Sequence, residues 1–108
     1  MKVHHLSQMV KGWFVGSFTP SVVQTHAVEV AVKTYKAGDR EAQHFHKLAT
    51  EVTVVVSGRI RMSGREFGAG DIVTLKPLEP TDFEALTDAV NVVVKLPGAA
   101  DDKYPGTP

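Results

Sequence analysis

The stretch Gly38-Asp39-Arg40-Glu41-Ala42-Gln43-His44-Phe45-His46-Lys47-Leu48-Ala49-Thr50-Glu51 runs straight into Val52-Thr53-Val54-Val55-Val56-Ser57-Gly58. Two of the chain's five histidines stand here with one residue between them, and a glutamate follows shortly after. Residues two apart on a strand leave the same face, so the imidazoles of His44 and His46 can converge on one point. If the chain then reverses, the carboxylate of Glu51, at the head of the next strand, returns beside them. Two neutral imidazoles and a carboxylate on one side of a metal leave the remaining positions open to water or substrate. The alternative is a solvated loop, carrying an exposed histidine pair, in front of a core strand.

Working outward, the chain is a series of short β-like runs separated by turn residues. From Ala27 to Tyr35, Val28, Val30 and Val32 alternate with Glu29, Ala31 and Lys33, the pattern of a strand with one buried face. Gln43 to Lys47 reads as a short strand, and Val52 to Val56 as one buried on at least one face. Arg59 to Met62 and Arg65 to Phe67 flank Ser63-Gly64, a two-residue hairpin turn. Ile72 to Leu75, Thr81 to Leu86 and Asn91 to Leu96 follow as further strands. Val10 to Phe18 has room for a turn of helix, but its glycines argue for extended chain. Many short strands without helices between them predict an all-β, antiparallel jelly-roll sandwich or barrel. Residues 1–108 form one domain in this reading, with a barrel over about 22–97, an N-terminal arm over 1–21 and a tail over 98–108. The tail, PGAADDKYPGTP from residue 97, reads by composition as weakly ordered.

The totals narrow the function. Twelve Lys and Arg balance twelve Asp and Glu, with the signs interspersed, so the basic stripe expected of a nucleic-acid binder is missing. The absence of cysteine rules out disulfides and thiolate metal sites and fits a reducing compartment. Nowhere do about 18 apolar residues run together, and the first residues lack a signal-peptide core. A cytoplasmic protein with no membrane partner is the expectation.

Gly38, His44, His46, Glu51 and Gly58 fall in the pattern G-x5-H-x-H-x4-E-x6-G. This resembles the first conserved motif of the cupin superfamily, and the resemblance extends from about Val28 to about Leu96. It implies a small jelly-roll barrel in which His44, His46 and Glu51 ligate one divalent metal ion. The same donors suit iron, manganese, nickel or zinc. The family's second motif begins well, at Gly70-Asp71-Ile72-Val73-Thr74-Leu75-Lys76-Pro77, but its histidine is missing, and Thr81-Asp82-Phe83 stands there instead. By alternation Thr81 shares the inward face of Phe83 and Ala85, where it would hold a metal-bound water, while Asp82 and Glu84 point to solvent. A bulge would turn Asp82 inward as an additional ligand.

Other residues receive plainer roles. His26 lies on the valine parity of its strand and reads as partly buried, with entry into the barrel as the alternative. His4 and His5 read as surface residues. Lys33 and Tyr35 lie on the other parity, where solvent or a subunit interface is expected. Trp13 and Phe14 would cover the barrel or an oligomer contact. Arg59, Arg61 and Arg65 would line a solvated edge. The expected partners are a small-molecule ligand or substrate and a second copy of the chain in a homodimer. The family resemblance admits dioxygenases, isomerases and epimerases, with a non-catalytic metal- or metabolite-binding module as the alternative.

Overall fold

The computed structural model describes residues 1–108. After a single 3-10 turn, Leu6–Gln8, the chain forms ten strands. They are β1 (Trp13–Val15), β2 (Glu29–Tyr35), β3 (Arg40–Phe45), β4 (Thr50–Ser57), β5 (Arg59–Met62), β6 (Arg65–Gly68), β7 (Ile72–Leu75), β8 (Thr81–Ala85), β9 (Ala89–Leu96) and β10 (Tyr104–Pro105). They build two five-stranded antiparallel sheets, ordered β1-β2-β9-β4-β7 and β10-β3-β8-β5-β6. No helix is long and apolar enough to cross a membrane.

Turn chemistry places the strands. The β5–β6 hairpin pairs Met62 with Arg65 across Ser63 and Gly64, both at positive φ, as a primed two-residue turn requires. Gly58, at φ +81°, lets β4 run directly into β5. A Cβ there would meet the Asp88 carbonyl oxygen at 2.1 Å, so no other residue fits without moving the backbone.

Each long strand runs from a dry end of the barrel to a polar one. At the dry end Val55, Ile60, Met62, Phe83, Ala85 and Ala89 form the core, with Tyr35, Phe67, Val73 and Leu75 packed against them. Burying each of the larger side chains is worth about 1.5–3 kcal/mol, which makes this cluster the main source of stability. Further along the same strands Thr53 and Glu51 follow Val55, Asn91, Val93 and Lys95 follow Ala89, and Thr81 precedes Phe83; all of these line a cavity of about 550 Å³.

The inward parity of β2 is the reverse of the expected one. Ala31 is completely buried, and Glu29, Lys33 and Tyr35, on the same face of the strand, line the cavity, while the alternating valines face outward. Alternation shows that the two faces of a strand differ; it does not show which one faces in, and a barrel built around a polar cavity turns its polar face inward. Lys33 and Tyr35 are thus interior residues rather than solvent or interface ones. His26 is exposed, its Nε2 3.4 Å from Ser17 Oγ, and stays outside the barrel.

The sheets also reach beyond residues 22–97. β1 pairs with β2, with Trp13 opposite Ala31, and β10 pairs with β3, with Tyr104 opposite Phe45. The tail that composition marks as weakly ordered is tied down by this ladder, by the 5.5 Å stacking of Phe45 on Tyr104, and by the burial of Asp102.

Candidate metal centre

His44 lies next to the end of β3, opposite Thr81 of β8, and His46 follows just past the strand. The β3–β8 register slips between Glu41 and His44, so β3 carries an extra residue there. That bulge puts Glu41, His44 and His46 on the same cavity although Glu41 and His44 are three apart. Glu51 lies on β4 opposite Lys95 of β9 and lines the same cavity. The three residues of the motif therefore line one cavity.

Two loops and the tail hold His46. Its carbonyl accepts the Leu78 N–H at 2.7 Å, and its Nδ1 is hydrogen-bonded to the Asp102 carbonyl oxygen. A carbonyl only accepts, so Nδ1 carries a proton, and in the neutral imidazole the lone pair is on Nε2. This Nε2 is buried with no hydrogen-bond partner, and it lies 4.0 Å from Glu51 Oε2. His44 is fixed in the same manner, its Nδ1 2.9 Å from the Ala42 carbonyl, and its ring stands edge-on to that of His46 at 5.7 Å. A backbone acceptor on one ring nitrogen that leaves the other free is the usual orientation of a metal-ligating histidine.

No group of three or more His, Asp or Glu side chains is drawn closely enough together to hold a metal as it stands. Two donors each about 2.1 Å from one metal, at right or tetrahedral angles, lie roughly 3–3.4 Å apart. The 4.0 Å between His46 and Glu51 is therefore slightly open. The chemistry of the donors and the orphaned Nε2 fit a divalent ion; closing the set requires the three side chains to move together.

The residues at the position of the missing histidine divide as alternation predicts. Thr81 is 3% exposed and lines the cavity, with its hydroxyl donated to the Asp82 carbonyl at 2.7 Å and accepting from Ser63 Oγ at 3.1 Å. Asp82 is exposed, and its carboxylate accepts the Ser63 N–H at 2.9 Å on the outside of the sheet.

The sequence reading missed Asp102. Its carboxylate accepts the backbone N–H groups of Lys47, Leu48 and Ala49, closing the turn between His46 and Glu51. Burial alone would raise this carboxyl, but those three donors and the neighbouring His46 outweigh it and hold the pKa below the ordinary value. Nothing local in Ala100-Asp101-Asp102-Lys103 distinguishes the second aspartate from the first. Also missed were Lys33, Asn91 and Lys95 on the cavity wall. Asn91 did carry a signal: it is the one uncharged polar residue in the run Ala89-Val90-Asn91-Val92-Val93-Val94.

No protein-family model and no curated protein matches the sequence. Solved structures do match. A Klebsiella pneumoniae protein described as an uncharacterized conserved protein with a double-stranded β-helix domain superposes with a TM-score of 0.71 at 24% identity, over 81% of this chain and 76% of that one. An RmlC-like cupin from Shewanella frigidimarina gives 0.63 at 21% identity, over 72% of each chain. Oxalate decarboxylase from Bacillus subtilis, described with Mn(II) centres, gives 0.62 at 22% identity, over 75% of this chain and 24% of that longer one. With its two antiparallel sheets, the chain shares the double-stranded β-helix fold of these neighbours.

Proposed function

We propose that this protein binds one divalent metal through His44, His46 and Glu51 and acts as a metal-dependent enzyme, of dioxygenase, isomerase or epimerase type, on a small polar metabolite. The observation that carries this is the buried lone pair of His46 Nε2, left without a partner beside the Glu51 carboxylate. A buried polar atom without a partner costs about 1–3 kcal/mol, and coordination removes that cost. Bound there, iron, manganese, nickel or zinc would supply a Lewis acid with open positions for substrate oxygens or water. The chain's own residues orient the ligands: Asp102 and Ala42 hold the two Nδ1 protons through their carbonyls, and Asp102 closes the turn. The Mn(II) centres of the oxalate decarboxylase show that the fold accommodates such an ion in another protein. The even charge balance supports a small-molecule partner over a nucleic acid, and the same reading makes the protein a cytoplasmic homodimer.

A second reading, a non-catalytic metal- or metabolite-binding module, is favoured by Thr81 standing where a fourth ligand is expected, and by the open spacing of the donors. Elemental analysis of purified, untagged protein beside a His44→Ala/His46→Ala variant tests the metal. About one ion per chain in the parent, lost in the variant, is the expected result. A parent that stays metal-free after incubation with iron(II), manganese, nickel and zinc overturns the metal site. Substrate-dependent oxygen consumption or product formation by the loaded protein then separates enzyme from module.

A further inference from the structure

Beyond the three candidate ligands, the cavity wall carries groups that a metal does not use. The buried side-chain polar atoms of the molecule that lack a hydrogen-bond partner are His46 Nε2 and Asn91 Oδ1, and both residues line this cavity. Asn91 is 1% exposed, sits on β9 opposite Lys33 of β2, and finds no partner within the protein.

Two lysines, Lys33 opposite it and Lys95 further along β9, line the same cavity. On the cavity side of the first sheet Lys95 stands in register between Glu29 of β2 and Glu51 of β4, yet no ion pair of the molecule involves it or Lys33. Glu29 instead accepts the Ala99 N–H, and Glu41 pairs with Lys103 at 3.6 Å. The Lys95 ammonium lies 4.8 Å from the centre of the Trp13 ring, and that of Lys33 lies 5.8 Å from the same ring. Lys33 donates one hydrogen bond, to the Lys11 carbonyl at 3.0 Å, which leaves two of its three donors free. Burial lowers the pKa of Lys33; Glu41 opposes this, and the charges of Lys11, Lys103 and Lys95 add to it. Both ammonium groups thus lie within 6 Å of the Trp13 ring centre, and neither is ion-paired.

We infer that this cavity takes a small hydroxycarboxylate, with its carboxylate received between Lys33 and Lys95 against Trp13 and a hydroxyl donated to Oδ1 of Asn91. An anion there satisfies two crowded cations and one orphaned acceptor at once, which a neutral ligand does not. The volume, about 550 Å³, suits a molecule of metabolite size. This deepens the proposed function by naming the class of its ligand. The lysines and Asn91 bind without the metal, so the two proposals fail separately.

Trp13 is the chain's one tryptophan, so its emission reports directly on this wall. Chelator-treated parent protein is titrated with acetate, glycolate and gluconate, and with the neutral counterparts acetamide, ethylene glycol and sorbitol, following Trp13 fluorescence and heat of binding. Saturable binding of glycolate or gluconate, tighter than acetate and absent for the neutral series, is expected. Lys33→Gln and Lys95→Gln each weaken it roughly 10- to 100-fold, Asn91→Leu removes the advantage over acetate, and Lys36→Gln, on an exposed turn, changes nothing. The inference is overturned if the neutral compounds bind as well as the acids. It is equally overturned if the lysine variants, folded by circular dichroism, bind as the parent does, or if the parent ignores all three acids up to about 50 mM. Metal uptake is measured separately, so an empty metal site leaves carboxylate binding standing, and a carboxylate-blind protein leaves metal binding standing.

Discussion

The two sheets of this barrel face their surroundings in opposite ways. Outside the second sheet, Arg40 of β3, Glu84 of β8, Arg61 of β5 and Glu66 of β6 form a ladder of ion pairs at 3.0, 3.3 and 3.2 Å, one residue per strand. On β5 and β8 its inner face is Ile60, Met62, Phe83 and Ala85, and at the cavity end it presents Thr81 of β8 with Glu41 and His44 of β3. Outside the first sheet, the register aligns Val30, Val94, Val52 and Thr74 in one row and Val32, Val92, Val54 and Ile72 in the next, with no charge in either. Its inner face carries Glu29, Lys33, Glu51, Asn91 and Lys95. Over β5, β6 and β8 the second sheet is an ordinary amphipathic sheet on a dry core, and only β3 and Thr81 turn polar groups to the cavity. At its cavity end the first is inverted, with charged and amide side chains inside and valines outside, while Val55, Val73, Leu75 and Ala89 at its other end join the dry core. The chargeless outer face is where a second copy of the chain would dock in the homodimer proposed above, as a self-complementary patch.

Substitutions test this contrast most sharply at the core. Phe83→Ala removes a ring that is 6% exposed and lies 4.4 Å from Tyr35, and about 3–5 kcal/mol of stability goes with it in chemical denaturation. The mirror change on the first sheet has the opposite sign. Asn91→Leu replaces an unpartnered amide with an apolar side chain that the cavity has room for, and raises stability by about 1 kcal/mol while abolishing the ligand contact. A loss of stability there would mean that Asn91 braces the wall, and the inverted-sheet picture would fail.

Tyr35 lies where the two inner faces meet. Burial, followed by the negative charges of Glu41, Glu51 and Asp39, raises the pKa of its phenol. A folded pKa above the unfolded one contributes stability that is complete below about pH 10 and is lost as pH rises beyond it. Thermal melts from about pH 8 to 11 should therefore fall more steeply for the parent than for Tyr35→Phe. Lys33, with its lowered pKa, works in the opposite direction in both proteins and cancels in the comparison. The smallest effect belongs to the outer valines: Val54→Lys changes monomer stability by less than about 1 kcal/mol, yet sedimentation should show the dimer weakened. An unchanged dimer would move the contact to another surface.

The fold was legible because turn residues and alternation are local signals: Ser63-Gly64, Gly58 and the valine runs mark the strands and their ends. That His44, His46 and Glu51 line one cavity was legible in their spacing and in the reversal before Glu51, although the strand expected over Gln43 to Lys47 ends at Phe45 and His46 lies just beyond it. Face assignment was not legible. The valines of β2 announce a buried parity by composition, and only the closure of the barrel decides that Glu29, Lys33 and Tyr35 are the ones inside. The bulge between Glu41 and His44 and the role of Asp102 depend on contacts between distant segments, with more than fifty residues separating Asp102 from the turn it closes.

That separation has a practical consequence. Pro97, Ala100 and Asp101 are exposed, between the end of β9 and the buried Asp102. A protease cutting there would sever no strand of the dry core, because Val55, Ile60, Phe83 and Ala89 all precede the nick. The released segment would take with it the clasp on His46 and the ladder of β10. Limited digestion could thus yield a barrel that still melts cooperatively while its histidine swings free, separating the folding of this molecule from the readiness of its cavity in a single cleavage.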